Sequence, residues 1–143
     1  MKACRAVLIG LFPLLSHATD YRASESGIVH SAAQAQDCFN LADNRRINEC
    51  VGHFHSESEA ALEATLKAIR SRLARDRALL DDAQAKWLAF KNSECEVRSI
   101  SARAFRDPDS QKQLFSQACT AEMNAARVVQ LKNIPLGCDS CLQ

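Results

Sequence analysis

Apolar residues return at alternating steps of four and three along the middle of the chain. Such a spacing, with a mean near 3.5 residues, predicts a helix with one apolar seam. The seam is interrupted at Asp76, where an apolar residue is due. Because no glycine or proline lies between Gly52 and Pro108, the pattern allows one long helix or two helices joined by a tight turn near residues 76–82. The seam consists of Leu62, Leu66, Ile69, Leu73, Leu80, Ala83, Trp87 and Phe90.

A helix start signal precedes this seam. Asn44 can act as an N-cap, and Ile47, Val51 and Phe54 would then follow on the same helix. Ser56 and Glu59, which lie later in the chain, form a competing capping box. We favour the start at Asn44.

The motif RDPDS, residues 106–110, separates this region from a last helix. Pro108 disfavours helical geometry at the residue before it, and Asp109 or Ser110 can cap the helix that follows. The apolar positions of that helix are Leu114, Phe115, Ala118, Ala121, Ala125, Val128 and Leu131. The predicted fold is therefore all-α, a small disulfide-stapled helical hairpin or bundle of three to four helices.

The beginning of the chain has the pattern of a secretory signal. Lys2 and Arg5 precede a short apolar run from Ala6 to Leu15, and small residues then form a cleavage site after Ala18. The run is too short for a membrane span, so we expect a periplasmic or secreted protein. The predicted division is a signal peptide at 1–18, a flexible leader at 19–37, a helical domain at 38–134 and a Cys-containing tail at 135–143.

Export gives the cysteine count a meaning. Of seven cysteines, Cys4 leaves with the signal peptide, and an even number in an exported chain indicates a disulfide framework. Cys95 and Cys119 lie at similar distances from Pro108, so we predict that they join two antiparallel helices. Cys38 and Cys50 can pair only if the chain reverses between them. The six remaining cysteines are Cys38, Cys50, Cys95, Cys119, Cys138 and Cys141.

The sequence offers little candidate chemistry. Cys138 and Cys141 lack the strand–helix unit of a redox CxxC motif, so we interpret them as a local disulfide, with a thiol–disulfide protein as the alternative. His53 and His55 point to different faces of a helix, which favours a solvated surface over a zinc site. No nucleophile motif surrounds any serine. We therefore predict no enzyme, with no catalytic residue, no cofactor and no metal.

The charge balance argues against a nucleic-acid partner. Removal of Lys2 and Arg5 lowers the 18 basic residues to 16, against 17 acidic residues. A mature chain without excess positive charge lacks the electrostatic footprint of a nucleic-acid-binding protein. We expect a protein partner, and the sequence leaves the oligomeric state open.

Three segments resemble the LprI-type lysozyme inhibitor family. The central one, LLDDAQAKWLAFKNSEC, is similar to the family pattern Leu-x-x-Ala-Gln-x-x-Trp-x-x-Phe-Arg-x-x-x-Cys, and CFNLADNRRINEC and CTAEMNAARVVQL resemble the blocks on either side. The chain departs from the pattern at Lys91, where the family usually has arginine, and at Asn124, where threonine is common. The residues interpreted as family signature and core are Ala83, Gln84, Trp87, Phe90, Arg127 and Leu131, with Cys95 and Cys119.

The resemblance implies an exported helical domain that binds and inhibits lysozyme or another wall hydrolase. Such an inhibitor would set a side chain against the catalytic carboxylates, and the segment SARAFRDPDS offers Arg103 and Arg106 for bidentate pairing. The sequence assigns no inhibitory residue. The alternative is an interaction or immunity module for another envelope protein or a wall-degrading toxin, without lysozyme inhibition.

Overall fold

The computed structural model describes residues 20–25, 28–73 and 75–135. Its three α-helices are α1 (Asn44–Arg72), α2 (Arg77–Arg98) and α3 (Pro108–Lys132). A short 3₁₀ helix precedes α1 at Ala35–Asn40, and another joins α2 to α3 at Ser99–Ala104. The fold is a small all-α bundle, as predicted. Two helices rather than one carry the apolar seam, because the chain leaves helical geometry between them.

The predicted signal peptide at 1–18 and the CDSC motif of the tail lie outside the described residues. Within the described part of the chain, no helix combines the length and the apolar character needed to cross a membrane. The export signal and the tail disulfide therefore stay predictions.

The start of α1 is fixed by Asp43, one residue before the N-cap predicted at Asn44. The Asp43 carboxylate accepts a hydrogen bond of 2.9 Å from the backbone N–H of Arg46. This bond satisfies one of the amide groups that the first turn of a helix leaves without a partner. It also lowers the pKa of Asp43 below the ordinary 3.8.

The start of α3 follows the same logic. Asp107 is the N-cap, in place of the predicted Asp109 or Ser110, and its carboxylate accepts a hydrogen bond of 3.4 Å from the Ser110 backbone N–H. Pro108 occupies the first turn, where its missing N–H is not needed. Hydrogen bonds from the Ser110 side chain and backbone lower the pKa of Asp107.

The connection between α1 and α2 is closed by arginine side chains. Arg77 Nε donates to the backbone carbonyl of Leu73 at 2.8 Å and to that of Arg70 at 3.0 Å. These bonds satisfy carbonyl groups that the end of a helix leaves without an intrahelical partner. The Arg70 guanidinium in turn forms an ion pair of 2.7 Å with Asp81 on α2. The reversal of the chain is therefore made by polar contacts across residues 73–76.

The segment predicted as a flexible leader is largely ordered. Strands β1 (Tyr21–Glu25) and β2 (Ile28–Ala32) pair antiparallel, with Tyr21 opposite Ala32. Ala32 and Ala35 are buried, and Tyr21 packs against the same cluster. The prediction of a leader at 19–37 is thus wrong for residues 20–25 and 28–37. An antiparallel pair needs only one covered face, so a polar composition does not exclude it.

Two apolar clusters hold the bundle, one at each end, and α1 packs chiefly against α3. The cluster at the end where α2 runs into α3, here called the disulfide end, consists of Ala32, Ala35, Cys38, Leu41, Cys50, Val51, Leu114, Ala118 and Ala121. The cluster at the opposite end consists of Leu62, Leu66, Ile69, Leu80, Val128 and Leu131, with Leu73 and Trp87 packed against it. The seam residues of α1 are therefore core, as predicted.

The predicted seam of α2 is partly wrong. Phe90 is 57% exposed and Ala83 is also exposed, while Trp87 is half-buried. The buried face of α2 is instead formed by Leu80, Gln84, Lys91 and Cys95. Polar residues are buried on α2 because Gln84 and Lys91 have hydrogen-bond partners on α3. These hydrogen bonds offset the free-energy cost of removing the two side chains from water. The same shift on α3 buries Asn124 and exposes the predicted Ala125.

Candidate interaction site

The signature residues of α2 and α3 meet in one cluster. Arg127 Nε donates a hydrogen bond of 3.2 Å to Oε1 of Gln84. The Arg127 guanidinium carbon also lies 5.6 Å from the centre of the Trp87 ring, and Lys91 Nζ lies 5.4 Å from that centre. Both cations are within the range at which an aromatic ring attracts positive charge. Burial lowers the pKa of Arg127.

A buried polar chain runs from α2 through α3 to α1. Lys91 Nζ donates to Oδ1 of Asn124 at 3.4 Å, and Asn124 Nδ2 donates to Oγ of Ser58 at 3.3 Å. Ser58 Oγ then donates to the backbone carbonyl of His55 at 2.8 Å. Burial lowers the pKa of Lys91, while the negative charge of Glu59 opposes that shift. These hydrogen bonds fix the register of all three helices, since each donor is matched to one acceptor of complementary type.

Lys91 and Asn124 are also the two positions at which the sequence departs from the family pattern that it resembles. The structure makes them direct hydrogen-bond partners. Each departure therefore supplies what the other needs, an ammonium donor on α2 and an amide oxygen on α3. Sequence reasoning noted both residues but had no signal that joined them.

Two disulfides tie the disulfide end together. Cys95 pairs with Cys119, with Cα atoms 5.5 Å apart, which confirms the predicted staple between α2 and α3. Cys38 pairs with Cys50, with Cα atoms 5.7 Å apart, and the chain reverses between them as that pairing requires. Each disulfide closes a loop next to one of the short 3₁₀ helices. It therefore holds that irregular segment in contact with an α-helix.

The connection from α2 to α3, residues 99–107, projects from this end and is here called the tip. Ser99 and Ala102 anchor it, because both are buried. Between and after them, Ile100 and Phe105 are about half exposed. Arg103 and Arg106 are exposed, and neither forms a hydrogen bond or ion pair with any residue that the structure describes. The tip therefore presents two apolar side chains and two guanidinium groups to solvent.

Ion pairs hold the helices on both sides of the tip. Lys112 Nζ on α3 lies 2.8 Å from Oε1 of Glu96 on α2, and this hydrogen bond, with a smaller contribution from Arg103, lowers the pKa of Glu96. Arg98 lies 2.8 Å from Glu94 and 3.6 Å from Glu122. The Lys112–Glu96 and Arg98–Glu122 pairs join α2 to α3 next to the Cys95–Cys119 bond.

A groove of about 900 Å³ opens beside the tip. Its wall contains three phenylalanines in contact: the Phe115 ring lies 5.3 Å from Phe39 and 5.6 Å from Phe105, both edge to face. This arrangement is the favoured one for aromatic rings. Phe115 was predicted as core and lies half-buried in this wall. Phe39 and Phe105 were missed, because irregular segments carry no periodic signal.

Other polar side chains, including the two histidines considered in the sequence, do not converge. His53 packs against the rings of Tyr21 and Phe54, while His55 lies 3.6 Å from Glu59. Asp82 and Glu94 each pair with a cation four residues away on the same helix. Across residues 20–25, 28–73 and 75–135, no group of three or more histidine, cysteine, aspartate or glutamate side chains could hold a metal ion.

Comparison with known protein families matches residues 33–131 to the family described as lysozyme inhibitor LprI. The matched region contains both disulfides, the Gln84–Trp87–Arg127 cluster and the tip. No curated protein and no solved structure matches the chain significantly.

Proposed function

The chain belongs to the LprI lysozyme inhibitor family, whose model covers more than half of it, and we propose that it binds lysozyme outside the cytoplasm and blocks it by protein–protein contact. Family membership is the observation that carries this proposal. The two disulfides support it, because such bonds persist in oxidising compartments. The periplasm or the exterior of the cell is the location that we infer.

We assign the contact to the tip. A lysozyme cleft contains two carboxyl groups that carry out the reaction, and a guanidinium can pair with a carboxylate through two parallel hydrogen bonds. Neither Arg103 nor Arg106 forms a hydrogen bond or ion pair with a described residue, and Arg103 makes only a minor electrostatic contribution at Glu96, so both guanidinium groups can pair with carboxylates of such a cleft. Phe105 lies between them and adds an exposed aromatic ring, and aromatic and arginine side chains are enriched among residues that dominate binding energy.

The buried residues and the disulfide that hold the tip favour tight binding. Buried Ser99 and Ala102 fix its backbone, and the Cys95–Cys119 disulfide joins the two helices that carry it. A segment held in its bound shape loses little conformational entropy when it enters a cleft.

A turbidity assay on bacterial cell walls tests the proposal. The mature protein should slow clearing by at least one class of lysozyme, in proportion to its concentration. Arg103→Ala and Arg106→Ala should each weaken inhibition at least about tenfold, as expected for loss of one cation from a desolvated charge pair. Arg75→Ala is the matched control, because Arg75 is an exposed arginine at the opposite end of the bundle.

Two results would contradict different parts of the proposal. Failure of the wild-type protein to inhibit or bind any lysozyme class would overturn the function itself and favour an interaction or immunity module. Equal inhibition by wild type, Arg103→Ala, Arg106→Ala and the double variant would retain the function but remove the tip as its site. Circular dichroism must show the same helical content in all variants.

A further inference from the structure

One face of α2 is apolar and uncovered. Leu79 is 69% exposed, Phe90 57% and Val97 60%, and Ala83 is exposed between them. Residues seven apart return to within about 20° on an α-helix, so Ala83, Phe90 and Val97 lie in one line. Leu79 extends this line by one turn. The four residues form the α2 stripe, which runs for about 27 Å along the helix.

The α2 stripe is separate from both the core and the tip. The buried face of α2, with Gln84, Lys91 and Cys95, points about a third of a turn away from it. None of the four stripe residues belongs to either apolar cluster. An exposed apolar line of this length indicates an interaction surface.

The pattern of the α2 stripe is nearly symmetric about Phe90. Ala83 lies seven residues before it and Val97 seven residues after it. Two such helices that run antiparallel, related by a two-fold axis at Phe90, bring Phe90 against Phe90 and the small Ala83 against Val97 of the second copy. A two-fold interface requires this property, because the same patch must fit itself.

The charges beside the stripe have the same symmetry with opposite sign. Lys86 lies four residues before Phe90 and Glu94 four residues after it. In the antiparallel arrangement Lys86 of one copy lies level with Glu94 of the other, on both sides of the axis. At present each pairs within its own helix, Lys86 with Asp82 and Glu94 with Arg98. Exposed ion pairs of this kind contribute little free energy. Lys86 and Glu94 can therefore exchange these partners for charges across an interface.

From this self-complementary pattern of apolar residues and charges, we propose that the α2 stripe is a dimer interface and that its partner is a second copy of the same chain, antiparallel and centred on Phe90. The inference does not depend on lysozyme inhibition.

Sedimentation equilibrium over a range of protein concentrations tests this proposal. The wild-type protein should show a reversible monomer–dimer equilibrium. Val97→Asp should raise the dimer dissociation constant at least about tenfold, because it sets a charge in the apolar line. The matched control is Val129→Asp on α3, since Val129 is also 60% exposed and lies on a different helix. It should leave the dissociation constant unchanged.

Charge reversal tests the register. Lys86→Glu and Glu94→Lys should each weaken the dimer, because each opposes like charges across the interface, and the double variant should recover most of the loss. A wild-type chain that is monomeric up to its solubility limit would overturn the proposal. So would a dimer that Val97→Asp leaves intact. A dimer weakened by Val97→Asp but not restored by the double reversal would overturn the antiparallel register.

Discussion

Lys91 on α2 and Asn124 on α3 share a buried hydrogen bond, from Nζ to Oδ1, at 3.4 Å. The two residues are 33 positions apart in the chain, and the bond continues through Asn124 to Ser58 on α1. Lys91 is only 8% exposed, so its ammonium group depends on this series of hydrogen bonds and on the Trp87 ring for stabilisation. The contact therefore joins three helices at a position where an apolar side chain would otherwise be expected.

The pair should be energetically coupled. Lys91→Arg alone crowds a site fitted to an ammonium group, and Asn124→Thr alone removes the amide that links it to Ser58. We expect each single change to lower the free energy of unfolding, and the double variant to lose less than the sum. A coupling energy of at least about 0.5 kcal/mol is expected for side chains in contact. Urea denaturation of the four proteins measures it, and additive losses would show that the two positions act independently.

Lys91 should also make stability depend on pH at the alkaline side. Burial lowers its pKa in the folded protein below the ordinary 10.5. Between those two pKa values the unfolded chain binds more protons than the folded one, so the free energy of unfolding should rise with pH across this window. Lys91→Met should remove that part of the rise. Lys67→Met, at an exposed position on α1, should keep it, and a slope unaffected by Lys91→Met would disprove the assignment.

Trp87 and Phe90 should differ in their contribution to stability. Trp87 is half-buried between the two cations and the apolar cluster, so Trp87→Ala should cost about 2 kcal/mol, less than the ~3–5 kcal/mol for a fully buried aromatic residue. Phe90→Ala should change the free energy of unfolding by less than about 0.5 kcal/mol, as for other exposed positions. Thermal or urea unfolding at low protein concentration gives both values without a contribution from self-association. Equal costs would mean that Phe90 is core after all.

Gln84 and Arg127 should stabilise the contact between α2 and α3. Arg127→Ala removes a hydrogen bond from a charged donor and a cation–ring contact, so we expect a loss of about 2 kcal/mol. Arg106→Ala provides the control, because Arg106 is exposed on the tip and should change stability by less than about 0.5 kcal/mol. A similar loss in both variants would point to a general effect of positive charge instead.

The Cys95–Cys119 disulfide should contribute about 3.5 kcal/mol by restricting the unfolded chain, and Cys38–Cys50, which closes a shorter loop, about 3 kcal/mol. Paired substitutions to alanine, followed by urea denaturation, measure both. We expect loss of Cys95–Cys119 to weaken lysozyme inhibition more than loss of Cys38–Cys50, because only the first joins the helices that carry the tip. The reverse order would argue against the tip as the contact.

Much of the helical architecture could be predicted from the sequence because it depends on local rules. The α1 start, the break at Pro108 and the Cys95–Cys119 pairing follow from capping chemistry, proline geometry and loop symmetry. The buried seam of α1 also follows, since its apolar residues alternate with charged ones. On α1, where one face is apolar and the other polar, periodicity identified the core.

The rest depended on contacts between distant segments. Periodicity favoured Ala83 and Phe90 as core, but Gln84 and Lys91 are buried because Arg127 and Asn124 supply hydrogen bonds from another helix. The hairpin of β1 and β2 was missed because its strands are short and polar and are stabilised through Ala32 against α1 and α3. The phenylalanine wall of the groove also lies in segments without a repeating pattern.

The positions of the two disulfides divide the molecule in an unexpected way. Cys38–Cys50 lies wholly before the connection at residues 73–76, and Cys95–Cys119 wholly after it. No disulfide between described residues crosses that connection, and Arg72 and Arg75 are exposed beside it. A protease that cuts there would leave two polypeptides, each with its own covalent loop. They would be joined without a covalent link, by the packing of α1 against α3, the apolar clusters and polar contacts such as the Asn124–Ser58 bond and the Arg70–Asp81 ion pair. The protein is in this sense a two-piece assembly on a single chain, and its halves are candidates for separate expression and reassembly.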